Sequence, residues 1–263
     1  MSNNKKAVFF DIDGTIFMPN LGVTEKTKEA IVKLNENGII PVICTGRSRS
    51  MIFKSIMDIG FKDVVAGAGT YVEVNSEEIY RVDMKPEDID EIVEAMVKYG
   101  FNPIPEGHDN LYYKDDINTA KYKEIFDLYY SELSEFMKPI RKGETYAAKV
   151  SGQFTDKSNK QAMIELFADR YDIVDHRGVL LELIPAGFSK ATGIEKFLKA
   201  TGIKRENTYA FGDSGNDLEM IKYVAHGVAM GNSAEDVKEA ADYVTDTIDN
   251  DGVYKGLKHY GLI

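Results

Sequence analysis

The residue types best suited to chemistry gather in two short stretches. The first is Asp11-Ile12-Asp13-Gly14-Thr15, directly after the apolar run Ala7-Val8-Phe9-Phe10. The second is Gly212-Asp213-Ser214-Gly215-Asn216-Asp217, after Tyr209-Ala210-Phe211. Acids held side by side at a buried edge repel each other and call for a cation. A hard, oxygen-seeking ion such as Mg²⁺ meets that need and leaves coordination positions for a phosphate oxygen. One carboxylate can then attack phosphorus while a nearby acid protonates the leaving oxygen. The group in transit carries spread negative charge, which Thr45, the Gly46 N–H and Lys190 are equipped to receive. Each feature also has a plainer reading: an Asp-Gly turn for the first stretch, helix capping for Asp213 and Asp217, a solvated helix-start lysine for Lys190. Capping explains the acids poorly once both stretches are taken as a set.

The elements that must position these residues follow from apolar periodicity. Ala7–Phe10 suits a strand buried on both faces, so Asp11 and Asp13 fall at its carboxyl end, where open parallel α/β sheets bind ligands. Thr24 can cap a helix carrying Ala30, Ile31 and Leu34 on one side and ending near Gly38. Residues 39–44 read as a second strand running into Thr45-Gly46-Arg47. Strand, helix, strand makes a βαβ unit with parallel strands, so Asp11 and Thr45 should face one crevice. A helix over Ser48 to Ile59 and a short strand at Val64-Val65 follow. Ala66-Gly67-Ala68-Gly69 leads into an alternating strand instead of opening a helix, which argues against a dinucleotide-binding turn and for close backbone approach beside the crevice.

Between about Met84 and Pro185 the pattern changes to α+β: a helix opened by Pro86, further helices near Ile117 to Tyr130 and Ser158 to Asp169, and several short strands. The α/β rhythm returns with a helix over Ser189 to Ala200, a strand at 207–211 and a helix over Leu218 to Tyr223. These shifts predict a core of residues 1–83 and 186–263 interrupted by an insert of residues 84–185.

Composition narrows the function. Charged residues make up 29% of the 263 residues and hydrophobic ones 43%, an ordinary globular balance. A net charge of −11 argues against a nucleic-acid binder. Cys44 is the single cysteine, so no intrachain disulfide can form; it reads as a buried packing thiol, and a cytoplasmic location is expected. No apolar run approaches the ~20 residues that cross a bilayer, and no membrane partner is expected. The four histidines lack metal-ligand spacing. Gly212-Asp213-Ser214-Gly215 is one residue short of a serine-hydrolase elbow. Arg47 could reach substrate or pair with an acid, and the polar, turn-like stretch 106–110 could contribute to substrate choice but reads first as a solvent loop. The sequence is silent on oligomeric state; a monomer is compatible with it.

Taken in order, the motifs DIDGT at 11–15, TGR at 45–47, Ser189-Lys190 and GDSGND at 212–217 resemble the haloacid dehalogenase superfamily, and the layout resembles its Cof-type phosphatases (subfamily IIB). The likeness extends over nearly the whole chain, including the closing stretch from Ala229 to Tyr254. It implies an α/β fold, with a Rossmann-like parallel-sheet core and an inserted α+β cap. It also implies Asp11 as nucleophile and Asp13 as general acid and then base. Mg²⁺ would be held by Asp11, the Asp13 carbonyl and Asp213, with Asp217 assisting. Thr45 and Lys190 would hold the phosphoryl group, with Gly14, Gly46, Arg47 and Asn216 near substrate or metal. The expected activity is a Mg²⁺-dependent phosphatase acting on a small phosphorylated metabolite; a phosphomutase and a non-catalytic phosphometabolite sensor are the alternatives. The sequence departs from the family at Ala66-Gly67-Ala68-Gly69, where Asn-Gly-Ala is usual, and at Cys44, where a small residue is usual.

Overall fold

The computed structural model describes residues 5–114, 130–176 and 178–263. By internal contacts the chain divides into two compact units: Met1–Gly46, Lys54–Arg81 and Ser189–Ile263 form one, Arg47–Phe53 and Val82–Phe188 the other. The fold is mixed α/β.

The described strands are numbered in chain order. In the first unit they are β1 (Ala7–Phe10), β2 (Ile40–Cys44), β3 (Asp63–Ala66), β4 (Tyr71–Val74), β5 (Glu77–Arg81), β12 (Thr208–Gly212), β13 (His226–Ala229) and β14 (Tyr243–Val244). They form one sheet in the order β14-β13-β12-β1-β2-β3-β4-β5. The ladder from β14 to β3 is parallel, and β4 and β5 add antiparallel strands at one edge. After β1 the chain builds outward through β2 and β3, then returns to the other side of β1 with β12. The strand order therefore reverses between β1 and β12, which makes their carboxyl ends a topological switch point. Those ends carry Asp11 and Asp213.

The strands are apolar on both sides because both faces are covered. All four residues of β1 are buried, and Phe9 meets Phe197 of the helix Lys190–Thr201 edge to face at 5.5 Å. Phe10 stacks on Phe211 of β12 at 5.3 Å. Ala7, Phe9, Val42, Val65, Ile194, Phe197 and Ala210 belong to one cluster, so the packing that holds the central strands also seats that helix.

In the second unit, β6 (Asn102–Glu106), β7 (Leu111–Tyr113), β8 (Met137–Pro139), β9 (Lys149–Gln153), β10 (Tyr171–His176) and β11 (Leu180–Pro185) form a sheet in the order β10-β11-β9-β6-β7-β8. It is antiparallel except for the β7–β8 pair. Ile89, Ile92 and Met96 from the helix Pro86–Lys98, and Met163 and Phe167 from the helix Lys160–Phe167, pack on Val150, Leu181 and Leu183. Pleating puts the alternate residues on the opposite face. There Lys149 Nζ lies 2.6 Å from Glu182 and 3.3 Å from Glu106, and His176 Nε2 lies 3.1 Å from Glu182.

The helix expected over Ser48 to Ile59 is not continuous. Arg49–Met51 forms a 3₁₀ turn, Ile52 is extended, and only Lys54–Met57 is α-helical. Ser48 and Ser50 are buried and share a hydrogen bond of 3.3 Å, and Ser50 Oγ also donates to the Gly107 carbonyl at 2.8 Å. Serines with such partners compete with a helical ladder. The expected helix near Ile117 to Tyr130 lies, except for Tyr130, outside the described residues. The helix expected from Ser158 starts at Lys160, because Asn159 is its cap and accepts from the Ala162 N–H at 3.1 Å.

Candidate active site

At the switch point the backbone of β1 stays paired one residue beyond the strand, the Asp11 N–H donating to the Phe211 carbonyl at 3.0 Å. Asp11 is thereby fixed beside the end of β12 and is 4% exposed. Lys190 opens the helix Lys190–Thr201. Ser189 caps that helix: its hydroxyl accepts from the Thr192 N–H, and the Thr192 hydroxyl accepts from the Ser189 N–H. The Lys190 side chain is buried, with Nζ 2.6 Å from Asp11 Oδ1 and 2.5 Å from Asp217 Oδ1. The other Asp217 oxygen accepts from the N–H groups of Asp213 and Ser214, each at 3.0 Å. Asp217 thus ties the lysine to the turn that carries Asp213.

Asp11, Asp213 and Asp217 each place a carboxylate oxygen within 4.8 Å of the others. Burial raises the Asp11 pKa well above the ordinary carboxylate range; Lys190 opposes the shift and the Asp217 and Asp13 charges add to it. Burial, reinforced by Asp217, lifts Asp213 to about 6. Burial disfavours the Lys190 ammonium, yet the Asp11 and Asp217 carboxylates outweigh it and hold the pKa above the ordinary lysine value. Three acids facing one lysine leave an excess of negative charge in a site of low polarity, and all the donors are hard oxygens. That set fits a divalent, oxygen-preferring cation. No histidine belongs to it: His176 pairs with Glu182, and His226 and His259 stack on Tyr209 and Tyr243.

The remaining candidates fall as follows. Asp13 is exposed on the turn after β1. Gly14, at φ 85°, lies where a Cβ would collide with the Asp213 carboxylate, so the turn closes over that acid because the residue is glycine. Thr45 is buried; its N–H donates to the Val65 carbonyl at 2.9 Å and its carbonyl accepts from the Ala68 N–H at 3.2 Å. A Cβ on Gly46 would lie 3.5 Å from Asn216 Nδ2, which brings these two residues together. Arg47 belongs to the second unit, where Nη1 donates to the Met51 carbonyl at 3.0 Å and the guanidinium lies 4.5 Å from the Phe53 ring centre. Gly67–Gly69 forms a 3₁₀ turn that feeds a strand, as expected for a segment that is not a dinucleotide turn. Cys44 is buried, and burial pushes its thiol far up, so it is an inert packing group.

Two supporting residues were not singled out from sequence. Thr15 Oγ1 donates to Asp213 Oδ1 at 2.9 Å, joining the two acidic turns. Asn232 Nδ2 donates to the Gly14 carbonyl at 2.8 Å while its Oδ1 accepts from the Ile248 N–H at 3.1 Å. Thr15 lies within the first motif; Asn232 lies in the polar Gly-Asn-Ser turn after β13, inside the closing stretch that resembles the family.

The family of haloacid dehalogenase-like hydrolases matches this chain over residues 8–257. The chain belongs to that family. Among curated relatives, the 5-amino-6-(5-phospho-D-ribitylamino)uracil phosphatase YitU of Bacillus subtilis (strain 168) is 28% identical, with 99% of each chain covered. Among solved structures, the HAD subclass IIB sugar phosphatase BT4131 is 29% identical with a TM-score of 0.82, covering 98% of this chain and 100% of that one. BT1666 from Bacteroides thetaiotaomicron, described among phosphatases of the same superfamily, is 27% identical with a TM-score of 0.81, covering 100% and 97%. This haloacid dehalogenase-like hydrolase is a Cof-type phosphatase, an enzyme of the phosphomonoesterase class acting on a phosphorylated small molecule. The cluster of three aspartates in its site is suited to a divalent metal. No described helix is long and apolar enough to cross a membrane.

Proposed function

We propose that the enzyme hydrolyses a sugar phosphate or a phosphorylated cofactor in two steps, by phosphoryl transfer to Asp11 and hydrolysis of the resulting aspartyl-phosphate. The observation that carries this reading is the buried Lys190 ammonium bridging Asp11 and Asp217 beside Asp213. Asp11 is held at the strand end with one oxygen on Lys190, which leaves its second oxygen for attack. Asp13, exposed two residues on, protonates the leaving oxygen and then takes the proton of the attacking water. Lys190 Nζ and Thr45 receive the charge of the transferring group, with the Gly46 N–H and Asn216 at the same rim. Gly14 brings the first turn against Asp213, and Arg47 contacts the phosphorylated substrate.

Asp11 and Asp213, with the Asp13 carbonyl, would hold Mg²⁺. Asp217, both of whose oxygens already accept hydrogen bonds, assists by fixing Lys190 and the Asp213 turn. Bound Mg²⁺ supplies Lewis-acid stabilisation of phosphoryl charge. Residues 84–185 act as the cap that sets specificity. The names of YitU and BT4131, a phosphoribityl compound and a sugar, support a phosphate on a polyol or sugar carbon. A single buried cysteine agrees with a reducing, cytoplasmic setting. Phosphate release across a panel of phosphorylated metabolites, with Mg²⁺ or with chelator, tests the reading; it fails if chelation leaves the rate unchanged.

A further inference from the structure

We infer that Gly69 and Gly193 are positioning residues that set Lys190 against Thr45, through a backbone-to-backbone contact between the Gly67–Gly69 turn and the first turn of the helix Lys190–Thr201. The inference rests on the phosphoryl-transfer reading above, in which those two side chains hold the same group.

On one side, the turn is tied to Thr45. The Thr45 N–H donates to the Val65 carbonyl at 2.9 Å and the Ala68 N–H donates to the Thr45 carbonyl at 3.2 Å. Ala68 makes that bond from a left-handed conformation (φ 52°, ψ 37°) that costs a non-glycine residue energy. On the other side, the turn touches the helix start. A Cβ on Gly69 would collide with the Ser189 carbonyl oxygen and lie 3.0 Å from the Gly193 nitrogen. A Cβ on Gly193 would collide with Val65 Cγ1 and lie 2.8 Å from Gly69 Cα. The obstacles are mostly backbone, which no rotamer change can relieve. An added methyl therefore has to push the helix start away from the turn.

Ser189, the residue that Gly69 abuts, immediately precedes Lys190 and accepts from the Gly193 N–H at 3.1 Å. A displacement there moves Lys190 relative to Thr45. The turn works as a spacer between two phosphoryl-holding residues, and a shift of about 1 Å in such a group is worth about a hundredfold in rate.

Gly193→Ala tests this, with para-nitrophenyl phosphate as substrate and orthovanadate as the probe of the phosphoryl pocket. The expected result is kcat lower by about tenfold to a hundredfold and vanadate affinity lower by about tenfold, with cooperative unfolding retained and the Mg²⁺ concentration for half-activation within about twofold. Gly202→Ala serves as the control at the far end of the same helix, where φ is 69° and a Cβ would meet nothing within 4 Å. It should lower the thermal midpoint without changing kcat. A Gly193→Ala enzyme with unchanged kcat and vanadate affinity, alongside an inactive Asp11→Asn, overturns the inference and leaves the phosphatase reading standing. Activity retained in Asp11→Asn overturns that reading itself. If Gly193→Ala does not fold, adding Val65→Ala to it removes the side-chain part of the clash and leaves the new methyl against Gly69 Cα. That double variant should unfold cooperatively with kcat still severalfold below that of Val65→Ala alone, and an equal kcat overturns the spacer.

Discussion

Removing the Lys190 ammonium would strip Asp11 and Asp217 of the positive charge that bonds both carboxylates. Lys190→Met is accordingly expected to lower kcat by about 10²- to 10³-fold, the effect of deleting one charged stabiliser of a transition state, and steady-state phosphate release measures it. A second buried lysine makes a purely structural comparison. Lys149 is buried between Glu106 and Glu182, so Lys149→Met strands two carboxylates and should destabilise the second unit by about 3–5 kcal/mol, read as a lower urea midpoint. At this scale the meeting of Asp11, Asp213, Asp217 and Lys190 was legible in the sequence, since their types and order have few other uses together. Thr15 and Asn232 were not. A hydroxyl or an amide in a turn has many local partners, and only the meeting of three loops at one sheet edge assigns these two to Asp213 and Gly14.

The helix Lys190–Thr201 shows what single elements contribute. Its start is fixed by the Ser189–Thr192 box, its end by Gly202 at φ 69°, and its inner face by Phe197 against Phe9. Ser189→Ala removes the cap and should cost about 0.5–2 kcal/mol, seen as a lower thermal midpoint. Such a helix is readable in advance because cap, stripe and stop agree. The segment after Thr45 was misread for the converse reason. Its apolar spacing fits a helix, but the Ser50 hydroxyl donates to the Gly107 carbonyl 57 residues away, a partner that no local pattern reveals. The edge strand β5, Glu77–Arg81, was missed because its exposed, charged residues show no alternation. The helix Gly252–His259 escaped as well: two glycines weaken its propensity, although Val253 and Leu257 bury one face.

At the scale of the whole molecule, the second unit carries a pH dependence of its own. Hydrogen bonding to Glu182 raises His176 above the ordinary histidine value, so this pair stabilises fully below about pH 6.5 and less as pH rises through the folded value. Burial works against the Glu182 charge, but Lys149 and His176 prevail and lower it to about 2, so its contribution is present above about pH 4.5 and lost as pH falls toward 2. Glu106, raised by burial, contributes fully below about pH 4.5 and less as pH rises through its folded value, so its loss begins at the acid end of the window. The urea midpoint of the second unit should therefore be highest between about pH 4.5 and 6.5, and His176→Gln should flatten the fall between about pH 6.5 and 8. The parallel core was legible because its strands and helices alternate with the right periods. The sheet of the second unit was only partly so, since β8 is three residues long and its partner β7 no longer. The proposed chemistry centres on Asp11, and one measurement addresses it directly: rapid-quench mass spectrometry of the enzyme during turnover of para-nitrophenyl phosphate. The predicted result is one phosphoryl group on the peptide that contains Asp11, transient in the wild type and absent in Asp11→Asn, which releases no phosphate. Phosphate release that continues in Asp11→Asn, with no adduct on that peptide in either enzyme, would contradict Asp11 as the nucleophile.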